Sequence, residues 1–306
     1  MTTLYDVPAP AKLNLFLHVV GQRQDGYHCL QTVFRFVDLQ DTLSFERRSD
    51  GVISRVGTHY GALAPQHDLV IRAAQLLKSV SGSSFGAQIF YHKEIPHGAG
   101  LGGGSSDAAT TLIALNRLWG TGLSRQELMS LAVTLGADVP VFVFGDNAFA
   151  QGIGEQLQSV ALPDAEYLLV QPPASVRTAE VFRHADLTRD TKPITMWDFT
   201  KWLQGHGTEK AFTTFGRNDL EPVVIKSQPI VAETARWLNQ AGFNARMTGA
   251  GSCFFVESQT PGMARVMQQE ILGKISARES EANQVVRNTW VCAGLPAHPL
   301  KHWLVS

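Results

Sequence analysis

Cysteine is scarce in this chain of 306 residues, and the three present, Cys29, Cys253 and Cys292, share no close spacing. An odd, scattered set excludes a disulfide framework and a Cys-rich zinc site, and no set of metal ligands stands out elsewhere. Charge imbalance is also lacking. Lys and Arg number 26 against 27 Asp and Glu, a formal net charge of −1. There is then no general attraction to nucleic acid or to an anionic membrane, and any recognition of phosphate must be local. No apolar run approaches the roughly 18 residues of a membrane span. The start, MTTLYD, has neither the basic residues nor the apolar core of a signal peptide, so a cytoplasmic location is expected. Internal repeats and low-complexity tracts are absent as well.

What is present is a globular composition, with 44% hydrophobic and 17% charged residues, and a length suited to one large or two ordinary domains. The chain is organised around IPHGAGLGGGSSD, residues 95–107, where five glycines fall within seven positions. Behind it the run 108–119 has no proline or glycine, and Ala108, Leu112, Leu115 and Trp119 recur at helical spacing. A glycine loop feeding a helix N-terminus gathers free backbone N–H groups and the positive end of a helix dipole at one point. Glycine admits φ > 0 and lets an anion approach without a Cβ in the way. The guest this predicts is a phosphate. A flexible linker would not run straight into such a helix. A Walker A loop is excluded because no lysine follows the glycines. A dinucleotide fingerprint is excluded because another helix, not a second strand, follows Trp119.

Strands are expected from Ala9 to Val20, from Leu30 to Leu39, from Asp41 to Arg47, and from Ala87 to His92, with strand and loop between Gly51 and Ala64. His67–Val80 reads as a helix capped by His67 or Asp68. The SRQE of 124–127 is a capping box opening a helix that ends at Gly136. Residues 149–157 suggest two strands about a glycine turn, and 167–170 another strand. Short helices follow at Thr178–His184 and Ile230–Gln240, with a tryptophan-containing stretch of 191–215 and the segment NDLEP, 218–222, between them. The turn RMTGAGSC, 246–253, leads into the strand 254–256. A helix over 263–272, a charged patch at 278–283 and a strand over 285–293 complete the reading.

Individual residues are ambiguous on their own windows. Lys12 and Asn14 leave one face of the first strand together, yet a lysine there reads equally as solvated. Asp138, two residues before Pro140, suits a plain helix N-cap. It also suits a partly buried general base that a nearby cation keeps ionised. Tyr27 and His28 after the Asp25-Gly26 turn fit ordinary loop packing.

Taken together, PAKLNLFL (10–17), PHGAGLGGGSS (96–106) and RMTGAGSCFF (246–255) resemble the GHMP kinases, which carry such motifs in this order. DGYH (25–28) and LGADVPVF (135–142) are similar to the branch of that family that phosphorylates a cytidine diphosphate alcohol on the non-mevalonate route to isopentenyl diphosphate. The resemblance implies an α+β chain with the two-domain GHMP kinase fold. A ribosomal-protein-S5-like N-terminal ATP-binding domain would span 1–162 and a ferredoxin-like C-terminal domain 163–306, joined near Pro163. It implies ATP and Mg²⁺ as cofactors, Asp138 as the base and Lys12 as its charge partner. Pro96, His97, Gly98, Ala99, Gly100 and Leu101 would hold the ATP phosphates together with Gly102, Gly103, Gly104, Ser105 and Ser106, one of the serines standing near Mg²⁺. The substrate would meet Asn14, a stack between Tyr27 and Phe182, the ring edge of His28, and Thr248, Gly249 and Gly251. A small-molecule substrate, no nucleic acid, no membrane, and a monomer or weak homodimer complete the expectation. Two departures stand out: Asp68 before Leu69, where asparagine is usual, and Arg177 beside Thr178.

Overall fold

The computed structural model describes residues 2–56, 67–206, 212–276 and 280–304. Parts of three expected segments, 57–64, 207–211 and 278–279, lie outside the described residues.

Two strands of unusual length lead the chain, β1 (Thr3–Gln22) and β2 (His28–Arg48), paired antiparallel. The first begins well before Ala9, although Pro8 and Pro10 lie within it. Among the strands it pairs with β2 alone, so its other edge carries no full ladder and a missing proline N–H is tolerated there. The second is one strand where two were expected. Its polar stretch around Asp38, Gln40 and Asp41 marks a register shift opposite Pro10 and Ala11, a bulge rather than a turn. With β3 (Ile53–Val56), β4 (Gly86–His92), β5 (Ala148–Gln151) and β6 (Gln156–Ser159) they form a six-stranded sheet of order β3-β4-β2-β5-β6, β1 lying against β2.

Four helices cover this sheet: α1 (Leu69–Ser81), α2 (Gly103–Trp119), α3 (Arg125–Leu135) and α4 (Val139–Phe144). Asp68 caps α1, accepting the Val70 and Ile71 amides, and the Ser124–Glu127 capping box opens α3 as its sequence requires. Helix α2 is buried from Ser106 to Trp119, except at Arg117, between the sheet and its neighbours. The core here joins Phe34, Phe36 and Phe45 to Leu112, Leu115 and Phe142.

The second sheet is antiparallel, order β10-β7-β9-β8, from β7 (Glu166–Gln171), β8 (Arg246–Met247), β9 (Phe254–Ser258) and β10 (Asn288–Ala293). Helices α5 (Thr178–Arg183), α6 (Met196–His206), α7 (Glu221–Ser227) and α8 (Pro229–Gln240) lie between β7 and β8; α9 (Met263–Ser276) and α10 (Ser280–Val285) lie between β9 and β10. With strands taken in sequence as one to four, the order is 4-1-3-2, the arrangement of a βαββαβ ferredoxin-like unit.

A third cluster of buried side chains fastens the sheets together, with Leu13, Leu15 and Phe16 of β1 against Tyr167, Leu169 and Phe255. The chain then returns to its first half. Leu300 and Leu304 enter the first core, His298 meets Phe36 edge-on at 5.5 Å, and Arg125 donates to the Lys301 carbonyl at 2.7 Å.

Candidate active site

Between the two halves lies a cleft of about 830 Å³, lined by the glycine loop, the Lys12 face of β1, Asp138 and the first residues after β7. The loop is built as its sequence demands. Gly98, Gly100 and Gly102 adopt φ of 64°, 77° and 72°, a left-handed backbone at every second residue that L side chains resist. The other glycines supply space or length: a Cβ on Gly103 would meet Ile95 at 2.9 Å. Helix α2 starts at Gly103, within the glycines and earlier than the run from Ala108 suggested, so Ser105 and Ser106 fall in its first turn. That turn has no intrahelical partners for its leading N–H groups.

The loop is braced from behind. Gly100 approaches the third motif so closely that a Cβ would stand 2.0 Å from the Thr248 carbonyl. The Ser252 and Cys253 amides donate to the Gly98 and Ala99 carbonyls at 3.3 and 3.2 Å, and Lys12 N–H donates to the Leu101 carbonyl at 3.0 Å.

Lys12, 2% exposed, points its ammonium to Asn14 Oδ1 at 2.5 Å and to Asp138 Oδ2 at 3.2 Å. Asp138 does occupy the N-cap position of α4, but its side chain makes no cap bond. Its carboxylate is spent on Lys12 and, with side-chain exposure of 39%, it faces the cleft. Asp138 is thus no ordinary N-cap: 126 residues apart in sequence, it and Lys12 form an ion pair beside the glycine loop. Asn14 is held on three sides. Its side-chain amide donates to Thr32 Oγ1 at 2.9 Å, its oxygen takes the lysine, and its backbone N–H donates to Thr248 Oγ1 at 2.9 Å.

Of the remaining expected residues, Pro96 to Ser105, Phe182 and Gly249 line the cleft. Ser106 is fully buried, its hydroxyl without a partner among the described residues, and Thr248 is fully buried behind the wall. Gly251 turns the third motif with φ 83°. Tyr27 and His28 lie outside the lining. The tyrosine is 59% exposed. His28 packs on Phe182, ring centres 5.2 Å apart, and its Nε2 accepts from Arg189 Nε at 3.1 Å. Burial, reinforced by the Arg189 charge, pushes the His28 imidazole below its ordinary pKa, consistent with a neutral acceptor. Arg189, which no motif flagged, also ties the Phe182, His184 and Leu187 carbonyls together.

A second constellation escaped the sequence reading. Lys93, near the loop's entry, bridges Asp41 of β2 and Asp107 of α2. Asp41 also accepts the Glu94 and Ile95 amides at 2.7 and 2.9 Å. Burial raises the Asp107 pKa to about 8, with Lys93 opposing and the Asp41 charge adding to the rise. Lys93 itself is raised: burial works against its charge, and the two carboxylates outweigh burial. At the departures, Asp68 pairs with Arg55 at 2.6 Å as well as capping α1, and Arg177 reaches Glu180 at 3.3 Å from an exposed position at the cleft mouth.

The family model described as "GHMP kinases N terminal domain" matches residues 68–146, and "GHMP kinases C terminal" matches 207–276. A 4-diphosphocytidyl-2-C-methyl-D-erythritol kinase of Bordetella parapertussis is 56% identical, covering 99% of this chain and 100% of that one. The enzyme of the same name from Nitrosospira multiformis is 52% identical over 96% of this chain and 92% of its own. A crystal structure of 4-(cytidine 5'-diphospho)-2C-methyl-D-erythritol kinase superposes with a TM-score of 0.75 at 34% identity, covering 94% of this chain and 98% of that one. Homoserine kinase from Cytophaga hutchinsonii shares the fold at 15% identity, with a TM-score of 0.67. Motif order, cleft and end-to-end identity agree, and the chain belongs to the GHMP kinases, in the 4-diphosphocytidyl-2-C-methyl-D-erythritol kinase family.

Proposed function

We propose that this chain transfers the γ-phosphoryl group of ATP to the 2-hydroxyl of 4-diphosphocytidyl-2-C-methyl-D-erythritol, with Asp138 as base and Lys12 as its charge partner. The observation that carries the roles is the Lys12–Asp138 pair itself, placed with an open carboxylate edge beside the glycine loop. Phosphoryl transfer asks little covalent chemistry of a protein. It asks for an in-line γ-phosphate, charge compensation and a positioned nucleophile.

The backbone N–H groups of residues 97–106 hold the triphosphate at the start of α2. Asp138 takes the proton from the substrate hydroxyl as its oxygen bonds to the γ-phosphorus, and the bond from that phosphorus to the β–γ bridging oxygen breaks to release ADP. The ammonium of Lys12 stabilises the charge on the attacking oxygen. Asn14 and Thr248 keep that ammonium in register. Phe182, steadied by His28 and Arg189, offers a face for the cytosine to stack on, and Tyr27 stands ready as the outer ring.

The donor set fits Mg²⁺ carried largely by the nucleotide. Among the described residues no group of three or more His, Cys, Asp or Glu forms a cage, and Mg²⁺ commonly rests on phosphates and water with few protein ligands. The Ser105 or the Ser106 hydroxyl would hold it; Ser105 lines the cleft, and Ser106 is buried just behind, without a partner among the described residues. The ion supplies charge neutralisation on the phosphates when bound. We place the division between the halves at residues 162–163. The enzyme acts as a cytoplasmic monomer or weak homodimer, and no helix among the described residues is long and apolar enough to cross a membrane.

The test is ADP formation from Mg²⁺ and ATP with the cytidine alcohol, homoserine and mevalonate in parallel. Turnover with the cytidine substrate alone is expected. Turnover with a small alcohol instead would overturn the assignment of Phe182, His28 and Tyr27.

A further inference from the structure

The NDLEP segment, 218–222, has no role in the chemistry above, yet Asn218 is 3% exposed and saturated with hydrogen bonds. We infer that Asn218 is a positioning residue for phosphoryl transfer, acting through the Thr248 turn on Asn14 and Lys12. This rests on the kinase reading of that site.

Its side-chain Nδ2 donates to the Met247 carbonyl at 2.7 Å and to the Gly249 carbonyl at 2.8 Å, the two carbonyls that flank Thr248. Its Oδ1 accepts the Leu220 amide at 3.0 Å. Only this orientation of the amide satisfies all three partners, since two are acceptors and one a donor. The backbone on either side is fixed to the strand that carries the catalytic lysine. Asn218 forms a parallel bridge with Leu17. The Leu17 amide donates to the Arg217 carbonyl at 2.9 Å, and the Asp219 amide to the Leu17 carbonyl at 2.8 Å. Asp219 Oδ2 also accepts the Val19 amide at 2.8 Å.

The links close a ring. From β1 it passes to Asn218, through the amide to both sides of Thr248, and from Thr248 Oγ1 back to the Asn14 N–H on β1. The Asn14 amide points away from β2, as the Lys12 amide two residues earlier does toward the Leu101 carbonyl, and so is free for that bond. Asn14 in turn touches the lysine ammonium. One buried amide therefore sets where the hydroxyl of Thr248 sits, and so where Lys12 is aimed.

The plainer reading is an Asx turn ahead of α7, and it explains the oxygen alone. Aspartate would serve that turn as well as asparagine, but it would set a carboxylate against two carbonyls. Asn218→Asp separates the readings, with Asn218→Ser as a milder second variant able to donate one bond.

With the cytidine alcohol and ATP, Asn218→Asp is expected to lower kcat by about 10- to 100-fold, the scale of an ångström-sized misplacement. KM for ATP should stay within about threefold, because the loop is backed by the Ser252 and Cys253 amides, which Asn218 does not touch. The decisive readout is a cycle with Thr248→Val, which deletes the acceptor. If Asn218 acts through Thr248, its loss costs several-fold less in that background than in the wild type. Multiplicative losses, a kcat within twofold of wild type, or failure of both Asn218 variants to fold would overturn the inference and leave a purely structural residue. Absence of turnover by the wild type in the same assay would instead remove the kinase reading.

Discussion

Two lysine–aspartate constellations flank the same glycine loop, and they are finished differently. Lys12 meets one carboxylate and one amide, and its partner Asp138 keeps an edge open to the cleft, with 39% side-chain exposure. Lys93 meets two carboxylates, and all three groups are shut away, with side-chain exposures of 8% for Lys93, 0% for Asp41 and 6% for Asp107. The open pair can exchange a proton with a substrate hydroxyl. The closed cluster pins the strand end before the loop to the helix after it, since Asp41 holds the Glu94 and Ile95 amides and Asp107 stands on α2. Residue type does not tell the two sites apart; saturation does.

The sharpest way to break this contrast is to neutralise the open carboxylate. Asp138→Asn is expected to cut kcat by about 10²- to 10⁴-fold, the usual worth of a general base. The thermal midpoint should fall only in part, because the buried Lys12 ammonium loses its carboxylate but keeps Asn14 Oδ1. A variant with full turnover would remove Asp138 from the chemistry.

The closed cluster should show the opposite signature. Lys93→Met leaves the buried Asp41 carboxylate uncompensated beside Asp107 and should cost about 3–5 kcal/mol in urea unfolding. Unchanged stability with lost turnover would make Lys93 a catalytic group and erase the distinction.

A smaller effect lies in pH. Asp107 is held at about 8 in the fold, above the value it has unfolded, so between those values the native state binds the extra proton. Stability therefore declines as pH rises through that window, by up to about 1.4 kcal/mol per pH unit, and levels off above it. Asp107→Asn should flatten this part of a thermal-midpoint profile. A slope that survives the substitution belongs to another group.

Legibility followed the range of each interaction. The capping box at Ser124 and Glu127 and the left-handed glycines at 98, 100 and 102 are local matters, and the local sequence announces them. The 4-1-3-2 sheet was legible only through resemblance, because its strands are separated by helices of varied length. Lys12 and Asp138 each looked ordinary in their own windows; resemblance alone paired them, and the fold adds that the aspartate declines its cap as it takes the lysine. Lys93 sits between His92 and Glu94, where a solvated charge is the natural reading, and Asp41 looks like the polar first residue of a strand. Neither window could announce a buried bridge. Tyr27 and His28 were readable as a pair, but the fold divides them: one ring stays largely exposed while the other is tied to Arg189.

The return of residues 295–304 to the first half has a consequence for how the molecule is made. Asn147 donates to the Leu295 and Pro296 carbonyls, and Leu300 and Leu304 plug the core that α1 to α4 build on the first sheet. During synthesis those helices emerge long before their plug. At about 5–20 residues per second the nascent first half waits on the order of ten seconds for it. Through that interval an apolar face stays open to water and to other chains, so the first core closes only after the second half has been made.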